Sequence, residues 1–298
     1  MKLGFIGFGE VGSEMACGLN GAGVKGIVAY DVMQKDLACG GRLKQRGEYA
    51  GATLLPTPQA LLDAVDVVLV AVPGSDACAA AHQLCHFLRP KMLYVDLTTA
   101  SPGEKREIDE AVRGAGALFV DAAIMARVAV FRHKSPILAS GNGADLFIKL
   151  LAPYGMQIEK VSDAAGDATG IKFVRSIFSK GFPALMAEVL EAASVMKVEH
   201  LVLKSLSATM DAQPFEQVAK YHVTGSSIHA ERHLHEMQSV VEMLENMQVN
   251  PVMTKATCER LKWLASMDLK HHFGDKPPED WQEIVRPWAQ ARNAARRS

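Results

Sequence analysis

Three glycines, Gly7, Gly9 and Gly12, stand at G-x-G-x-x-G spacing inside "KLGFIGFGEVGSEMACGL", residues 2–19. The triplet alone is a common pattern. Here it follows an apolar strand-like run and opens a helix-like one, and that context gives each glycine a task. Gly7 makes the tight turn, Gly9 lets a pyrophosphate approach the backbone, and Gly12 lets helix and strand pack closely. The free N–H groups of the helix start then face the phosphates, with Phe8, Glu10 and Val11 as the intervening cradle residues. About 20 residues on, "VAYDV" brings Asp31 to the end of a second strand, where a carboxylate accepts hydrogen bonds from the adenosine ribose. An acid there repels a 2′-phosphate, so NAD is favoured over NADP, although Gln34 and Lys35 leave NADP open.

Two more strand ends carry side chains suited to a ligand. Thr98 and Thr99 follow "MLYVD", and Val72, Pro73 and Gly74 follow "VDVVLVA"; ligands of open α/β sheets bind at that edge. A plain strand-to-helix turn explains either stretch equally well from its residues alone. Further on, "VFRHKSP" gathers Arg132, His133 and Lys134 in one loop, a set of cationic donors suited to a carboxylate or phosphate, or else a solvated loop. In "SSIHAERHLHEM" helical spacing puts His229, Arg232 and Glu236 on one face with His233 beside it. His229 and His233 at i, i+4 have no obvious carboxylate or thiolate partner, so no metal is expected.

These residues need elements to hold them. Up to about residue 160, "KLGFIGF", "GIVAYDV", "VDVVLVAVP", "MLYVDLTT", "ALFVDAAI" and "PILAS" read as buried strands of a parallel sheet covered on both faces. Helical stretches such as "EVGSEMACGLNGAG" and "SPGEKREIDEAVRGAG" alternate with them, the latter with Ser-Pro start and Gly stop signals. That alternation predicts an α/β fold, a doubly wound Rossmann domain over residues 1–162. From 163 to 298 the strand-like runs vanish and long stretches take helical spacing, which predicts an all-α second domain for substrate and dimerisation. Pro183 predicts a kink or break in "GIKFVRSIFSKGFPALMAEVLEAASVMKV". Another helix is expected to begin near Pro251, and "GDKPPEDW" with "NAARRS" reads as a loosely held tail.

The bulk composition narrows the function classes. Lys plus Arg number 32 against 33 Asp plus Glu, and 49% of the 298 residues are hydrophobic. A near-zero net charge argues against nucleic acid and anionic membranes and for a small-molecule partner. No apolar run reaches the roughly 18 residues that a membrane span needs. With a strand expected from Lys2, no signal peptide is expected and the protein reads as cytoplasmic. The cysteines Cys17, Cys39, Cys78, Cys85 and Cys258 are odd in number and form no C-x-x-C pair, so reduced thiols are expected rather than disulfides or structural zinc. A helical second half rich in apolar positions makes a homodimer the default expectation.

The chain resembles the β-hydroxyacid dehydrogenase family, relatives of 6-phosphogluconate and 3-hydroxyisobutyrate dehydrogenases. The resemblance is carried by "GFIGFGEVGSEMA", by "VDLTTASP" at 95–102, which is similar to V-D-x-S-T-x-x-P, and by "GDATGIKFVRS" at 166–176, which is similar to G-x-x-x-K-x-x-x-N. "VDAAIMARV" at 120–128 stands where D-A-P-V-S-G-G usually lies. "RHKSPILASG", "RSIFSKG" and "IHAERHLHEM" resemble a narrower group of the family with its own C-terminal helical domain.

The resemblance implies a Rossmann domain followed by a helical domain, and oxidation of a hydroxy acid or reduction of its semialdehyde or keto partner. It implies a single lysine as general acid/base, here Lys172, with Lys180 a distant second. Such an amine must be partly neutral, which requires desolvation or a neighbouring cation, and "GIKFV" is suitably apolar. Arg175 and Ser176, three and four residues on, share its helix face and are candidates to hold substrate; Ser176 replaces the family's Asn. Met125 and Ala126 replace the small polar residues that grip a carboxylate, which predicts a bulkier or less polar substrate and an acid-binding group elsewhere. Arg132 is one candidate for that group. Arg232 or the His235–Glu236 pair is another, standing in for the family's Lys-Asp pair. Imine reductases share this architecture with Asp or Tyr as proton donor, and a non-catalytic NAD(P) sensor is the other alternative.

Overall fold

A computed structural model describes residues 1–274, 278 and 280–295. The apolar runs form strands at their expected places: β1 (Leu3–Ile6), β2 (Val28–Tyr30), β3 (Thr53–Leu54), β4 (Val67–Val70), β5 (Leu93–Asp96), β6 (Leu118–Ile124), β7 (Ile137–Ser140) and β8 (Ile158–Ser162). Every residue of β1, β4 and β5 is buried, as befits central strands covered on both faces. The order across the sheet is β3-β2-β1-β4-β5-β6-β7-β8. Between β1 and β4 the chain direction of winding reverses, which opens the crevice where doubly wound sheets bind ligands.

The sheet departs from expectation in three places. Strand β7 runs antiparallel to β6, because residues 125–136 hold only the single turn Val128–Phe131 and the 3-10 turn Arg132–Lys134, too little for a right-handed crossover. Strand β3 is two residues long. Strand β8, "IEKVS", is only partly buried, as edge strands are, so neither edge announced itself as an apolar run.

The helices of this half are α1 (Glu10–Gly21), α2 (Gly40–Ala50), α3 (Pro58–Ala64), α4 (Ala77–Cys85), α5 (Pro102–Gly114), α6 (Val128–Phe131) and α7 (Ala144–Leu151). Helix α5 starts as its residues indicate: Ser101 and Glu104 form a reciprocal capping box, and Pro102 takes the first turn. Two apolar cores pack against the sheet. One holds Phe5, Met15, Leu69 and Val95; the other holds Leu61, Val68, Tyr94 and Ile108.

The chain divides into two compact units, Met1–Ile177 and Phe178–Ser298, and the range of α8 (Asp167–Met196) takes in that boundary. The first unit therefore includes the opening turns of α8. The helix runs on through Pro183 without the break that proline predicted. The second unit continues as α9 (Glu199–Met210), α10 (Phe215–Ile228), α11 (Ala230–Asn246), α12 (Val252–Ala265), α13 (Leu269–Phe273) and α14 (Gln282–Ala295). Helix α12 begins directly after Pro251, as expected, and Glu188 caps it by accepting the N–H groups of Met253 and Thr254 at 2.7 and 2.9 Å. The expected loose tail lies partly outside the described residues. Between its two segments Ile284 of α14 is fully buried against Ile228 and Leu269, with Trp288 packed beside them.

Candidate functional site

The glycine turn has the geometry its spacing required. Gly7 has φ +83°, and a Cβ there would stand 2.7 Å from the Ala71 carbonyl oxygen. A Cβ on Gly12 would collide with the Gly7 carbonyl, so only glycine lets α1 start this close to β1. A Cβ on Gly9 would meet nothing within 4 Å, which is the open approach a pyrophosphate needs. Asp31 holds the turn from the side. One of its oxygens accepts the Phe8 N–H at 2.7 Å and the other accepts the Met33 N–H at 2.9 Å.

A cavity of about 890 Å³ opens above this turn. Its walls include Gly7, Gly9, Glu10, Val11, Asp31 and, from the ends of β4 and β5, Val72, Pro73, Thr98 and Thr99. Glycine again sets the spacing between these two ends: a Cβ on Gly74 would lie 2.8 Å from Thr99 Oγ1. The open space at Gly9, the free helix start and the carboxylate at the end of β2 fit a dinucleotide. Phe8 is buried and Gly12 packed beneath the turn, so these two shape the cradle from below.

Beyond the cavity's Thr98 end lies a group of buried charges. Asp96 of β5 and Asp121 of β6 are register partners on adjacent strands, and both are fully buried. Like charges in that arrangement repel. Lys105, on the inner face of α5 and also fully buried, resolves the repulsion. Its Nζ lies 2.9 Å from Asp96 Oδ1 and 3.5 Å from Asp121 Oδ1, and donates to the Asp96 carbonyl at 3.2 Å. Asp96 Oδ1 also accepts the Thr98 N–H at 2.8 Å, which ties the network to the cavity wall. On its other side Asp121 accepts the N–H and hydroxyl of Thr169 at 2.9 and 2.6 Å and the hydroxyl of Ser140 at 3.3 Å.

Thr169 stands in the first turn of α8, three residues before Lys172, and the two share a helix face. Lys172 is partly buried and outside the cavity's lining. Its ammonium is held below the usual 10.5 by burial first, then by the Lys105 cation and by Arg175, with Asp121 pulling the other way. Ser176 donates its hydroxyl to the Lys172 carbonyl at 2.9 Å. Arg175 donates to the Met125 carbonyl at 2.9 Å, and the Met125 N–H is given to the Pro136 carbonyl at 2.8 Å. Both backbone groups of Met125 are therefore committed within the chain, while Ala126 beside it is only partly covered.

The other candidates lie elsewhere. Arg132 is engaged by Glu14 of α1 at 3.2 Å and by the Tyr49 hydroxyl of α2 at 2.7 Å. His133 is buried against Gly18, and burial pushes its ring below the usual imidazole range. This loop thus packs on α1, with Arg132 tied to α1 and α2 and outside the cavity's lining. Arg232 and His235 lie exposed on α11 of the second unit, where Arg232 pairs with Glu236 at 2.6 Å. Lys180 is exposed. Among the described residues no group of His, Cys, Asp and Glu is placed to hold a metal ion.

Reasoning from the residues alone missed Asp96, Lys105, Asp121 and Thr169. A signal was present for Lys105. It falls three and seven residues before Ile108 and Val112, the buried positions of an otherwise charged α5, and so lies on the helix's inner face.

Fold and cradle together define a Rossmann-type NAD(P)-binding protein with a helical C-terminal region. Residues 2–147 match the family described as the NAD binding domain of 6-phosphogluconate dehydrogenase, and residues 193–264 match the domain of unknown function DUF1932. A conserved protein of unknown function, whose structure was described as similar to 3-hydroxyacid dehydrogenases, is 32% identical over 91% of this chain and 99% of its own, with a TM-score of 0.61. The mitochondrial 3-hydroxyisobutyrate dehydrogenase of Homo sapiens is 26% identical over 49% of this chain and 42% of its own. An imine reductase from Myxococcus stipitatus in complex with NADP+ shares the fold at 18% identity, with a TM-score of 0.73 over 89% of this chain and 94% of its own. The chain belongs to the 6-phosphogluconate dehydrogenase-like branch of the β-hydroxyacid dehydrogenase family, in the group whose C-terminal part is the DUF1932 domain.

Proposed function

We propose that the protein is an NAD(P)-dependent dehydrogenase that interconverts a hydroxy acid and its semialdehyde or keto partner, with Lys172 as general acid/base. The observation that carries this reading is the partly buried amine of Lys172 on the first turns of α8, held toward its neutral form by burial and by Lys105. Bound nicotinamide supplies the hydride acceptor or donor. The chain supplies the rest. A neutral Lys172 takes the hydroxyl proton as the carbonyl forms, and the ammonium returns it in the reverse direction. The cradle at Gly7–Gly12 seats the pyrophosphate and Asp31 receives the adenosine ribose, which favours NAD over NADP. Thr98 and Thr99 supply hydroxyls at the cavity's far end.

Substrate recognition at the β6 wall differs from the family's polar grip. Met125 presents a thioether and a backbone already hydrogen-bonded at both ends, so this wall suits an apolar portion of the substrate. Recognition of the acid group falls to residues elsewhere, with Arg175 and Ser176 as candidates. A homodimer is supported by the exposed apolar side chains on α8 to α10, among them Phe178, Phe182, Leu201, Leu206, Phe215 and Tyr221. No helix among the described residues is long and apolar enough to cross a membrane.

The test is a screen of NADH and NADPH absorbance changes against hydroxy acids, semialdehydes, aromatic keto acids and imines. Turnover with a hydroxy acid or its carbonyl partner, lost in Lys172→Met with cofactor still bound, is the expected result. Turnover with imines alone would move the assignment to imine reduction. Cofactor binding with no turnover in any class would leave a sensor.

A further inference from the structure

We propose that Lys105 is a positioning residue for Lys172: it sets the Asp121 carboxylate, which clamps the first turn of α8 through Thr169 and so fixes the place and protonation state of the Lys172 amine. The inference rests on the general acid/base reading of Lys172 and adds a residue to it.

Lys105 offsets the repulsion between Asp96 and Asp121, but that balance is itself costly to build. A lysine with no solvent exposure must satisfy its ammonium inside the protein, and desolvation makes such a site costly unless the partners are well placed. Here the partners are two carboxylates that the parallel register of β5 and β6 sets side by side. An apolar residue at each of the three positions would fill the same core without that cost. The arrangement gains purpose from what lies on either side of it. Through Asp96 it holds the Thr98 N–H at the cofactor cavity, and through Asp121 it holds the N–H and hydroxyl of Thr169. One buried cation thus spans the distance from the cavity wall to the helix that carries the amine.

The charges facing Lys172 come from three elements: Lys105 from α5, Asp121 from β6 and Arg175 from α8 itself. Lys105 opposes a proton on Lys172 and Asp121 favours one, so the pair acts as a balance. Removing Lys105 leaves Asp121 unopposed, and the Lys172 amine then keeps its proton to higher pH.

The experiment is competitive acetylation of the intact protein, without cofactor, by trace acetic anhydride from about pH 6 to about pH 11, a range that brackets free lysine. The peptide carrying Lys172 is quantified by mass spectrometry. In the wild type, Lys172 should become reactive below the pH of an ordinary lysine. In Lys105→Met its curve should move up by about one pH unit, the size expected when one nearby charge is lost. Because Lys105→Met strands two buried carboxylates, the double variant Lys105→Met/Asp96→Asn is measured beside it. That variant removes the closer of the two ion pairs, leaves Asp121 to the donors of Thr169 and Ser140, and keeps an acceptor for the Thr98 N–H. It should melt above Lys105→Met alone and show the same upward shift. A folded double variant that labels Lys172 on the wild-type curve would overturn the role of Lys105 while leaving Lys172 as acid/base. A wild-type curve at the ordinary lysine position would instead overturn the reading of Lys172 itself.

Discussion

At the ends of β1 and β2 the first unit presents backbone: an αL glycine, a helix start and an open approach at Gly9, with Asp31 as the one charged side chain holding the turn. Across β5 and β6 it presents buried charge: two aspartates in register, a lysine between them and a threonine hooked onto one of them. The two regions share a sheet and differ in what they ask of the chain. A dinucleotide carries its own charge and needs space and N–H groups, which glycine spacing provides. A proton carrier needs an environment of controlled dielectric and charge, which only residues distant in sequence can build.

The largest effect should come from the amine. Lys172→Met is expected to lower kcat by about 10²- to 10⁴-fold, the usual share of general acid/base catalysis, with cofactor affinity kept within about twofold. In the oxidation direction the wild-type rate should rise with pH as Lys172 loses its proton, through a midpoint below the usual 10.5, and this limb should vanish in the variant. Steady-state rates and cofactor titration by fluorescence read both parts. A kcat loss under tenfold would erase the distinction between the two regions.

The turn should fail in the opposite sense. Gly7→Ala places a Cβ against the Ala71 carbonyl at a left-handed φ, a strain of about 1–2 kcal/mol before the collision is counted. Cofactor affinity should fall more than about tenfold by calorimetry, while the labelling curve of Lys172 stays where it was. Asp31→Ser should cost NAD binding about tenfold and narrow the preference against NADP, a change near 1.4 kcal/mol read from the ratio of the two Kd values. The smallest change belongs to Arg175→Met, which frees the Met125 carbonyl. Loss of one hydrogen bond of about 1 kcal/mol should raise KM for substrate several-fold and leave kcat within about twofold.

The same contrast explains what could be read from the amino acids. Six strands, the glycine turn, Asp31, the Ser101–Glu104 helix start and the α12 start after Pro251 are local: each follows from residues a few positions apart. The antiparallel β7 was hidden because strand direction depends on what the 125–136 connection can span, and of the kink or break that Pro183 predicted the break is absent, α8 continuing through it. Arg132 looked like an anion site by composition, yet Glu14 and Tyr49, more than eighty residues earlier in the chain, take up its guanidinium. Asp96 and Asp121 sat unnoticed inside apolar strands, and Lys105 inside a charged helix, because only the β5–β6 register brings them together.

The most direct measurement is a crystal structure of the protein with NAD and a turned-over hydroxy acid in place. Lys172 Nζ should lie within hydrogen-bond reach of the substrate's carbinol oxygen, roughly 2.6–3.2 Å, with that carbon facing the nicotinamide ring. A complex in which substrate and nicotinamide meet while the Lys172 amine points into solvent, or in which another side chain holds the carbinol oxygen, would contradict the assignment.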